Sequence, residues 1–275
     1  MAFGDLSRIN SNILSMQSLH EFQKTSSEIG TRQLRLATGS RINSASDDPS
    51  GFAIASRLES RVRGQAQALA NIADAQSMLS VAEGSLGTIQ DILMTMKEKV
   101  MQGANDTLAS SDRTIINSTL NSLSTEINSI VSASTYNGMT VFSTGALSFQ
   151  VGEGTGDTFS VTVGGMSTGV LGVGSAAIDV ASAASATASL TLIDSAINSI
   201  SSTMAGIGNN QTALTFRQES LNNSMLNQES ARSRIQDADF AKEQIEIVKL
   251  QIMQQTGIAA IQNSNMAPQM VLSLL

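Results

Sequence analysis

Cysteine and tryptophan are absent from this chain of 275 residues, and tyrosine occurs once. A chain without cysteine can form neither a disulfide framework nor a thiolate metal site. Large aromatic side chains usually fill globular cores, but Phe, Trp and Tyr together make up only 3% of the residues. We therefore expect long helices packed against one another by Ile, Leu, Met and Ala.

Residues that commonly carry catalysis are also scarce. Histidine occurs once, as His20, so neither a histidine-based metal site nor a nucleophilic triad is expected. The adjacent carboxylates Asp47 and Asp48 precede Pro49, and carboxylates in that position typically cap a helix whose first turn holds the proline. The sequence thus predicts no enzyme activity, no metal and no cofactor.

Basic charge and long apolar runs are lacking as well. The formal net charge is −7, whereas a nucleic-acid-binding domain would carry a basic face. No uninterrupted apolar run reaches the ~20 residues of a membrane-spanning helix. The first residues, Met1 to Asp5, include no basic region followed by an apolar run. We therefore expect no nucleic-acid or membrane partner, and export by a route other than the general secretory one.

Apolar residues are abundant, at 41%, and near both chain ends they recur at steps of three and four. This spacing places them on one face of a helix and is typical of coiled coils. It predicts one helix from about residue 5 to 36 and another from about 237 to 275, and the second has no charged side chain beyond Lys249. The repeats are Leu6, Ile9, Ile13 and Met16 near the start, and Ala238, Ala241, Ile245, Val248 and Ile252 near the end, where Ile258 and Ile261 continue an apolar stripe.

Three more helices and a short β-hairpin are predicted between the two ends. Steps of three and four continue through residues 48–102, 111–130 and 190–225. Alternating apolar residues on either side of residues 152–157 predict the hairpin, and the Gly- and Ser-rich segment 164–188 predicts an exposed loop. The fold class is therefore mainly α: a long antiparallel helical rod or coiled coil built from both chain ends, with a small β-hairpin insert.

Several motifs resemble those of bacterial flagellins, in family order and at family spacing. The resemblance covers residues 1 to about 140 and 190 to 275. No large outer domain is inserted between them, so we expect a short form. The motifs are Arg41-Ile42-Asn43-Ser44-Ala45 followed by Asp47-Asp48, Tyr136-Asn137-Gly138, Ser230-Ala231-Arg232-Ser233-Arg234-Ile235 followed by Asp237-Ala238-Asp239, and the ending Val271-Leu272-Ser273-Leu274-Leu275.

The resemblance implies a structural subunit of the hollow helical flagellar filament that drives motility. Residues 1–42 and 237–275 would form an inner coiled-coil domain. Residues 43–236 would form a helical rod domain, with the hairpin and loop at about 139–189. The implied partners are copies of the same chain, an export chaperone, the filament cap and hook-associated proteins, with type III export to the cell exterior. A hook–filament junction protein is the nearest alternative, and a secreted coiled-coil effector is a more distant one.

An energy comparison predicts that the terminal helices fold on assembly. The roughly ten large apolar side chains of the last helix would contribute about 15–30 kcal/mol if fully buried. Ordering the backbone of that helix costs on the order of 40–80 kcal/mol. Partners must supply the difference, as in other segments that fold on binding.

Two groups of residues are predicted to hold the ends together. The first is an assembly seam formed by the matching apolar stripes: Leu6, Ile9, Ile13, Met16, Ile245, Val248, Ile252, Ile258, Ile261, Leu272 and Leu275. The second group consists of charged residues near the places where helical segments join: Arg41, Asp47, Asp48, Arg232, Arg234, Asp237 and Asp239. These side chains are either ordinary solvated charges or members of a structural ion network.

Three further groups are predicted by the resemblance. Asp112, Gly208 and Ala231 match family positions that influence protofilament packing, although by spacing alone they read as a cap, a helix glycine and a small packing residue. Thr95 and Lys99 stand where many flagellins carry an Arg and a Leu that innate receptors of the Toll-like class recognise, so we expect weak or absent recognition. An uncharged polar face either lines the filament lumen or is hydrated between subunits: Gln254, Gln255, Gln262 and Gln269.

Overall fold

The structure, a computed structural model, describes residues 12–272, with the side chains of the last helix described as far as Met266. Within that range the chain is mainly helical, which confirms the predicted fold class. The helices are α1 (Ile13–Thr38), α2 (Pro49–Gly103), α3 (Ser110–Ala133), α4 (Thr168–Leu171), α5 (Ala183–Gln236) and α6 (Phe240–Leu272). The strands are β1 (Thr135–Tyr136), β2 (Met139–Thr140), β3 (Leu147–Gln150) and β4 (Thr158–Val161).

The contacts within the chain group it into two compact units. The first unit comprises Met1–Ser60 and Asn227–Leu275, and the second comprises Arg61–Leu226. The predicted inner domain, residues 1–42 plus 237–275, falls within the ranges of the first unit. Its boundaries in an assembled filament stay a prediction.

The second unit is held together by α2, α3 and α5, whose core residues recur at steps of three and four. In α2, Ile72, Leu79, Leu86 and Leu93 lie seven residues apart and are completely buried. A seven-residue repeat returns the same helix face to the core every second turn, and each such side chain contributes about 1.5–3 kcal/mol when it is buried. The matching core residues of α3 and α5 are Ile116, Leu120, Ile127, Ile193, Ile200, Ile207 and Leu214.

The Gly- and Ser-rich segment 164–188 is not the exposed loop that its composition predicted. Its apolar residues Val173 and Val180 are completely buried. Side chains of α3 hold its backbone, because Ser124 Oγ donates to the Val173 carbonyl at 3.1 Å and Asn117 Oδ1 accepts from the Val180 N–H at 3.0 Å. The prediction was wrong because a high content of Gly, Ser and Ala is found both in solvated loops and in segments that pack against the core through a few buried side chains and hydrogen bonds.

Two hairpins account for the strands among the described residues. β1 and β2 are joined by Asn137 and Gly138, whose φ angles of 50° and 78° are those of a type I′ turn, the turn that suits the twist of paired strands. β3 pairs with β4 in antiparallel register, as the alternating apolar pattern predicted. Both hairpins belong to the second unit.

Candidate assembly surface

The two turns of the first unit are joined by backbone hydrogen bonds. α1 ends at Gly39 in the left-handed conformation, with a φ of 71°. The Arg41 N–H donates to the Gln236 carbonyl at 2.6 Å, and the Ala238 N–H donates to the Gly39 carbonyl at 2.8 Å. The Arg41 side chain adds a third bond, from Nη2 to the Ile235 carbonyl at 2.7 Å. The end of α1 therefore lies beside the break between α5 and α6.

The three carboxylates nearest the helix starts bind backbone N–H groups. Asp48 Oδ1 accepts from the Gly51 N–H at 3.0 Å, and Asp239 Oδ1 accepts from the Ala241 N–H at 3.0 Å. Asp47 Oδ2 accepts from the N–H groups of Ser44 and Asn43. These bonds favour the charged carboxylate and hold the pKa of Asp47 below its ordinary value.

The basic residues of the same region pair locally. Arg232 Nε donates to Glu229 Oε2 at 3.0 Å, and this bond lowers the pKa of Glu229 and raises the pKa of Arg232. Arg234 Nη1 donates to Ser230 Oγ at 3.2 Å. Among the seven residues proposed as an ion network, all of them described, no salt bridge within 4.0 Å joins two members, but the charge of Asp237 contributes to the raised pKa of Arg232. The structure brings the two segments together through backbone bonds and helix caps instead.

α1 and α6 pack against each other along a stripe that we call the inner seam. Its positions are buried or half-buried at steps of three and four, but half of them are polar, and only Ile29, Ile247 and Leu250 are buried apolar residues. The inner seam consists of Ser15, Ser18, Phe22, Thr25, Ile29, Arg32 and Leu36 on α1, with Glu243, Ile247, Leu250, Gln254, Gly257, Ile261 and Ser264 on α6.

A buried carboxylate with two arginines closes one end of the inner seam. Arg32 Nη1 donates to both Glu243 oxygens, at 2.9 and 2.8 Å, and Arg35 Nη1 lies 3.8 Å from Glu243 Oε1. The Glu243 side chain is only 6% exposed. A carboxylate that loses water is tolerated where charge-assisted hydrogen bonds replace it, so this contact fixes where along α1 the helix α6 can pack.

Amide and hydroxyl groups close the other end. Asn12 Nδ2 donates to the Ser264 carbonyl at 2.9 Å, and Ser15 Oγ donates to Asn265 Oδ1 at 3.1 Å. Asn12 also caps α1, because its Oδ1 accepts from the Ser15 N–H. The pairing of the two helices is therefore held at both ends by polar contacts.

Most of the described residues of the predicted assembly seam do not lie between α1 and α6. The prediction that the two apolar stripes face each other within the chain was therefore wrong. Ile13 is 65% exposed and Ile245 is 67% exposed. Ile245 stands two residues beyond the seam residue Glu243, and two residues correspond to about 200° around a helix. We call the outward-facing set the outer stripe: Ile13, Met16, Ile245, Val248 and Ile252. Ile258 is also exposed, but it stands fifteen residues beyond Glu243, or about 60° around the helix, and therefore borders the inner seam.

The remaining members of the predicted seam fall into two groups. Ile261 is half-buried and belongs to the inner seam. Leu6, Ile9 and Leu275 lie outside the described residues, and Leu272 lies in the part of α6 whose side chains are not described.

A shallow, mainly apolar groove of about 200 Å³ opens beside the inner seam. It exists because Gly257 and Ala260 fill little space on α6 opposite Leu14 of α1. Its other lining residues are Gln17, Ser18 and Glu21.

The glutamines proposed for the lumen do not share one environment. Gln255 and Gln262 are exposed on α6, whereas Gln254 is half-buried in the inner seam. Gln269 lies among the residues whose side chains are not described.

The proposed packing and receptor residues have simple surroundings. Asp112 is exposed in the first turn of α3, and a Cβ added to Gly208 would meet no atom within 4 Å. Ala231 is half-buried on α5. Thr95 is exposed and its Oγ1 donates to the Asp91 carbonyl at 3.0 Å, while Lys99 is half-buried.

No helix within residues 12–272 is long and apolar enough to cross a membrane. No group of three or more His, Asp or Glu residues in that range could hold a metal ion.

Sequence reasoning missed the role of Glu243 and Arg32. Their signal was available, because both stand at steps of seven from other inner-seam positions. Charged side chains at such positions are normally assigned to the solvated face, and only the paired helices show that they satisfy each other.

Comparison with known proteins gives matches at both ends of the chain. The family described as the bacterial flagellin N-terminal helical region matches residues 9–146, and the bacterial flagellin C-terminal helical region matches residues 190–275. The flagellar filament 33 kDa core protein of Treponema phagedenis is 30% identical over 283 residues, which cover 97% of this chain and 99% of that protein.

Other relatives match over shorter lengths. A flagellin of Serratia marcescens is 40% identical over 81 residues, and the match covers 30% of this chain but only 23% of that protein. A flagellar hook-associated protein from Vibrio parahaemolyticus superposes with a TM-score of 0.59 at 21% identity, covering 70% of this chain and all of the other. At that identity the likeness concerns the fold alone.

Proposed function

The chain belongs to the bacterial flagellin family, and from this we propose that it is a structural subunit that polymerises with copies of itself into a helical flagellar filament for motility. Flagellins are structural proteins, and we propose no catalytic role and no cofactor.

The observation that carries this proposal is the apolar face that the α1–α6 pair leaves exposed. Half of the inner-seam residues are polar; Arg32 donates to both oxygens of Glu243, and Asn12 donates to the Ser264 carbonyl. The outer stripe presents isoleucine, valine and methionine to solvent. Apolar surface gains free energy when it leaves water, at about 25 cal/mol per Å². A helix pair with this arrangement is stabilised when neighbouring copies cover the outer stripe.

The same exposed face supports folding of the terminal helices on assembly. A seam with few buried apolar residues recovers little of the backbone entropy that ordering two helices costs. Contacts with neighbouring copies supply the rest, so α1 and α6 gain stability in the polymer. Amide hydrogen exchange tests this directly: protection of α1 and α6 that is equal in the free subunit and in the polymer would contradict it.

Polymerisation of the purified protein tests the proposed function. We expect long filaments by electron microscopy, and we expect Ile252→Asn to raise the critical concentration by about tenfold or more, because an amide replaces an apolar side chain that assembly buries. Val170→Asn is the matched control, since Val170 is equally exposed but lies in the second unit. Short capped polymers would instead favour a hook–filament junction protein, and leakage of liposomes a secreted effector.

The partners and location are further proposals that rest on family membership. We propose export through the flagellar type III apparatus, with a chaperone holding the C-terminal region, and incorporation beneath the filament cap beyond the hook-associated proteins. The mature protein is then extracellular. Loss of secretion in a strain without the flagellar export apparatus is the expected result.

Two surfaces receive narrower proposals. We propose that Gln255 and Gln262 line the lumen, so that Gln262→Lys slows filament growth in cells more than polymerisation of purified subunits. We also propose that Thr95 and Lys99 weaken recognition by Toll-like receptors. Receptor-reporter cells should then respond weakly or not at all.

A further inference from the structure

Methionine is the oxidisable sulfur residue of this chain, which has 13 methionines and no cysteine. The structure divides those that it describes by exposure. Met78, Met96 and Met166 are buried in the second unit, whereas Met16, Met253 and Met266 are exposed in the first unit. Peroxide in solution therefore reaches Met16, Met253 and Met266 more readily than the buried methionines.

The exposed methionines of the first unit lie on or beside the outer stripe. Met16 follows Ile13 by three residues, and Met266 follows Ile252 by fourteen, which is close to four whole helical turns. Met16 and Met266 lie at the same end of the α1–α6 pair, because they directly follow Ser15 and Asn265, whose side chains are joined by a hydrogen bond of 3.1 Å. Met253 neighbours Ile252 on α6.

We propose that Met16, Met253 and Met266 form a peroxide-sensitive modification site that blocks assembly of the free subunit and is shielded once the subunit has assembled. In this step hydrogen peroxide transfers one oxygen atom to the thioether. A sulfur–oxygen bond forms, the peroxide O–O bond breaks, the sulfur loses two electrons and water leaves. The proposal rests on the function proposed above.

The sulfoxide changes the property on which assembly depends. It converts a flexible apolar side chain into a polar one, so a surface that assembly must strip of water becomes more strongly hydrated. The change is reversible, because methionine sulfoxide reductases use a thiol reductant to restore the thioether.

The experiment treats the purified full-length subunit with hydrogen peroxide before polymerisation. Peptide mass spectrometry first establishes a dose at which Met16, Met253 and Met266 carry oxygen while Met78 and Met96 do not. We then expect the critical concentration to rise by about tenfold or more, and treatment with methionine sulfoxide reductase to restore it. Preformed filaments should resist oxidation at the same three residues.

Matched variants assign the effect to this site. The triple variant Met16→Leu, Met253→Leu and Met266→Leu keeps the apolar volume and should polymerise normally after peroxide treatment. The control with leucine at Met94, Met101 and Met139, which are exposed in the second unit, should stay sensitive. Met266→Gln should weaken polymerisation without any peroxide.

Two results would overturn the proposal while leaving the proposed function intact. In the first, the untreated protein polymerises and the oxidised protein, tested separately, polymerises equally well. The other is protection of the control variant to the same degree as the triple variant. Failure of the untreated protein to polymerise at all would overturn both proposals.

Discussion

At the scale of single residues, Glu243 is the residue that we expect to set the packing register of α1 against α6. It is a buried carboxylate held by Arg32 and Arg35, and such charge-assisted hydrogen bonds are more directional than the apolar contacts of the same seam. Buried polar groups are known to specify register in paired helices. Glu243 therefore determines which side chains α6 turns outward.

We expect Glu243→Gln to destabilise the α1–α6 pair by about 1–3 kcal/mol, because two guanidinium groups would lose their charged partner. Hydrogen exchange of the α1 and α6 amides should accelerate while the amides of α3 stay protected. Glu246→Gln is the control, since Glu246 pairs with the largely exposed Lys249. Equal exchange in both variants would show that Glu243 does not hold the helices.

A second residue-scale prediction concerns acid. Hydrogen bonds from the N–H groups of Ser44 and Asn43 lower the pKa of Asp47 from 3.8. A depressed carboxyl pKa contributes stability above the unfolded value, and this contribution is lost as the pH falls through the folded value. The turn before α2 should therefore loosen only below pH 3.8. NMR titration of the Asp47 carboxyl carbon measures this, and a midpoint at or above the ordinary value would count against it.

At the scale of helices and strands, periodicity predicted much of the fold but not which faces meet. Steps of three and four identified α2, α3 and α5, and alternation identified the β3–β4 hairpin. The same steps in α6 led to Ile245 and Ile252, yet the helix packs through Ile247 and Leu250. Periodicity reports that a face is apolar, and it does not report whether that face is covered by the same chain or by another.

Glycines of α2 give a test at this scale. A Cβ added to Gly84 would meet no atom within 4 Å, so Gly84→Ala should stabilise the free subunit by about 1 kcal/mol through helix propensity. Gly103 ends the same helix, and a Cβ there would lie 2.8 Å from Val180 Cβ. Gly103→Ala should therefore lower stability. Urea unfolding of the second unit measures both, and shifts of the same sign would contradict this account.

At the scale of the whole molecule, both units contain apolar residues at steps of three and four, but these residues are buried in the second unit and largely exposed in the first. The second unit turns its seven-residue repeats inward, where Leu79 and Leu86 are completely buried. The first unit leaves the apolar residues of the outer stripe exposed and pairs its helices through a seam in which only half of the residues are polar and only Ile29, Ile247 and Leu250 are buried apolar residues. The second unit thus holds a core of its own, whereas the first is left with a surface that other copies would complete. The sequence predicted that the ends need partners, but it could not reveal which face stays exposed, because that depends on how α1 and α6 pack against each other.

The most direct test of that claim uses the absence of cysteine. An Ile252→Cys variant carries a single thiol on the outer stripe, and its labelling by a maleimide can be timed in the free subunit and again in the filament. We predict rapid labelling in the free subunit and strong protection in the filament. Equal labelling rates in both states would contradict the claim that copies of the chain cover the outer stripe.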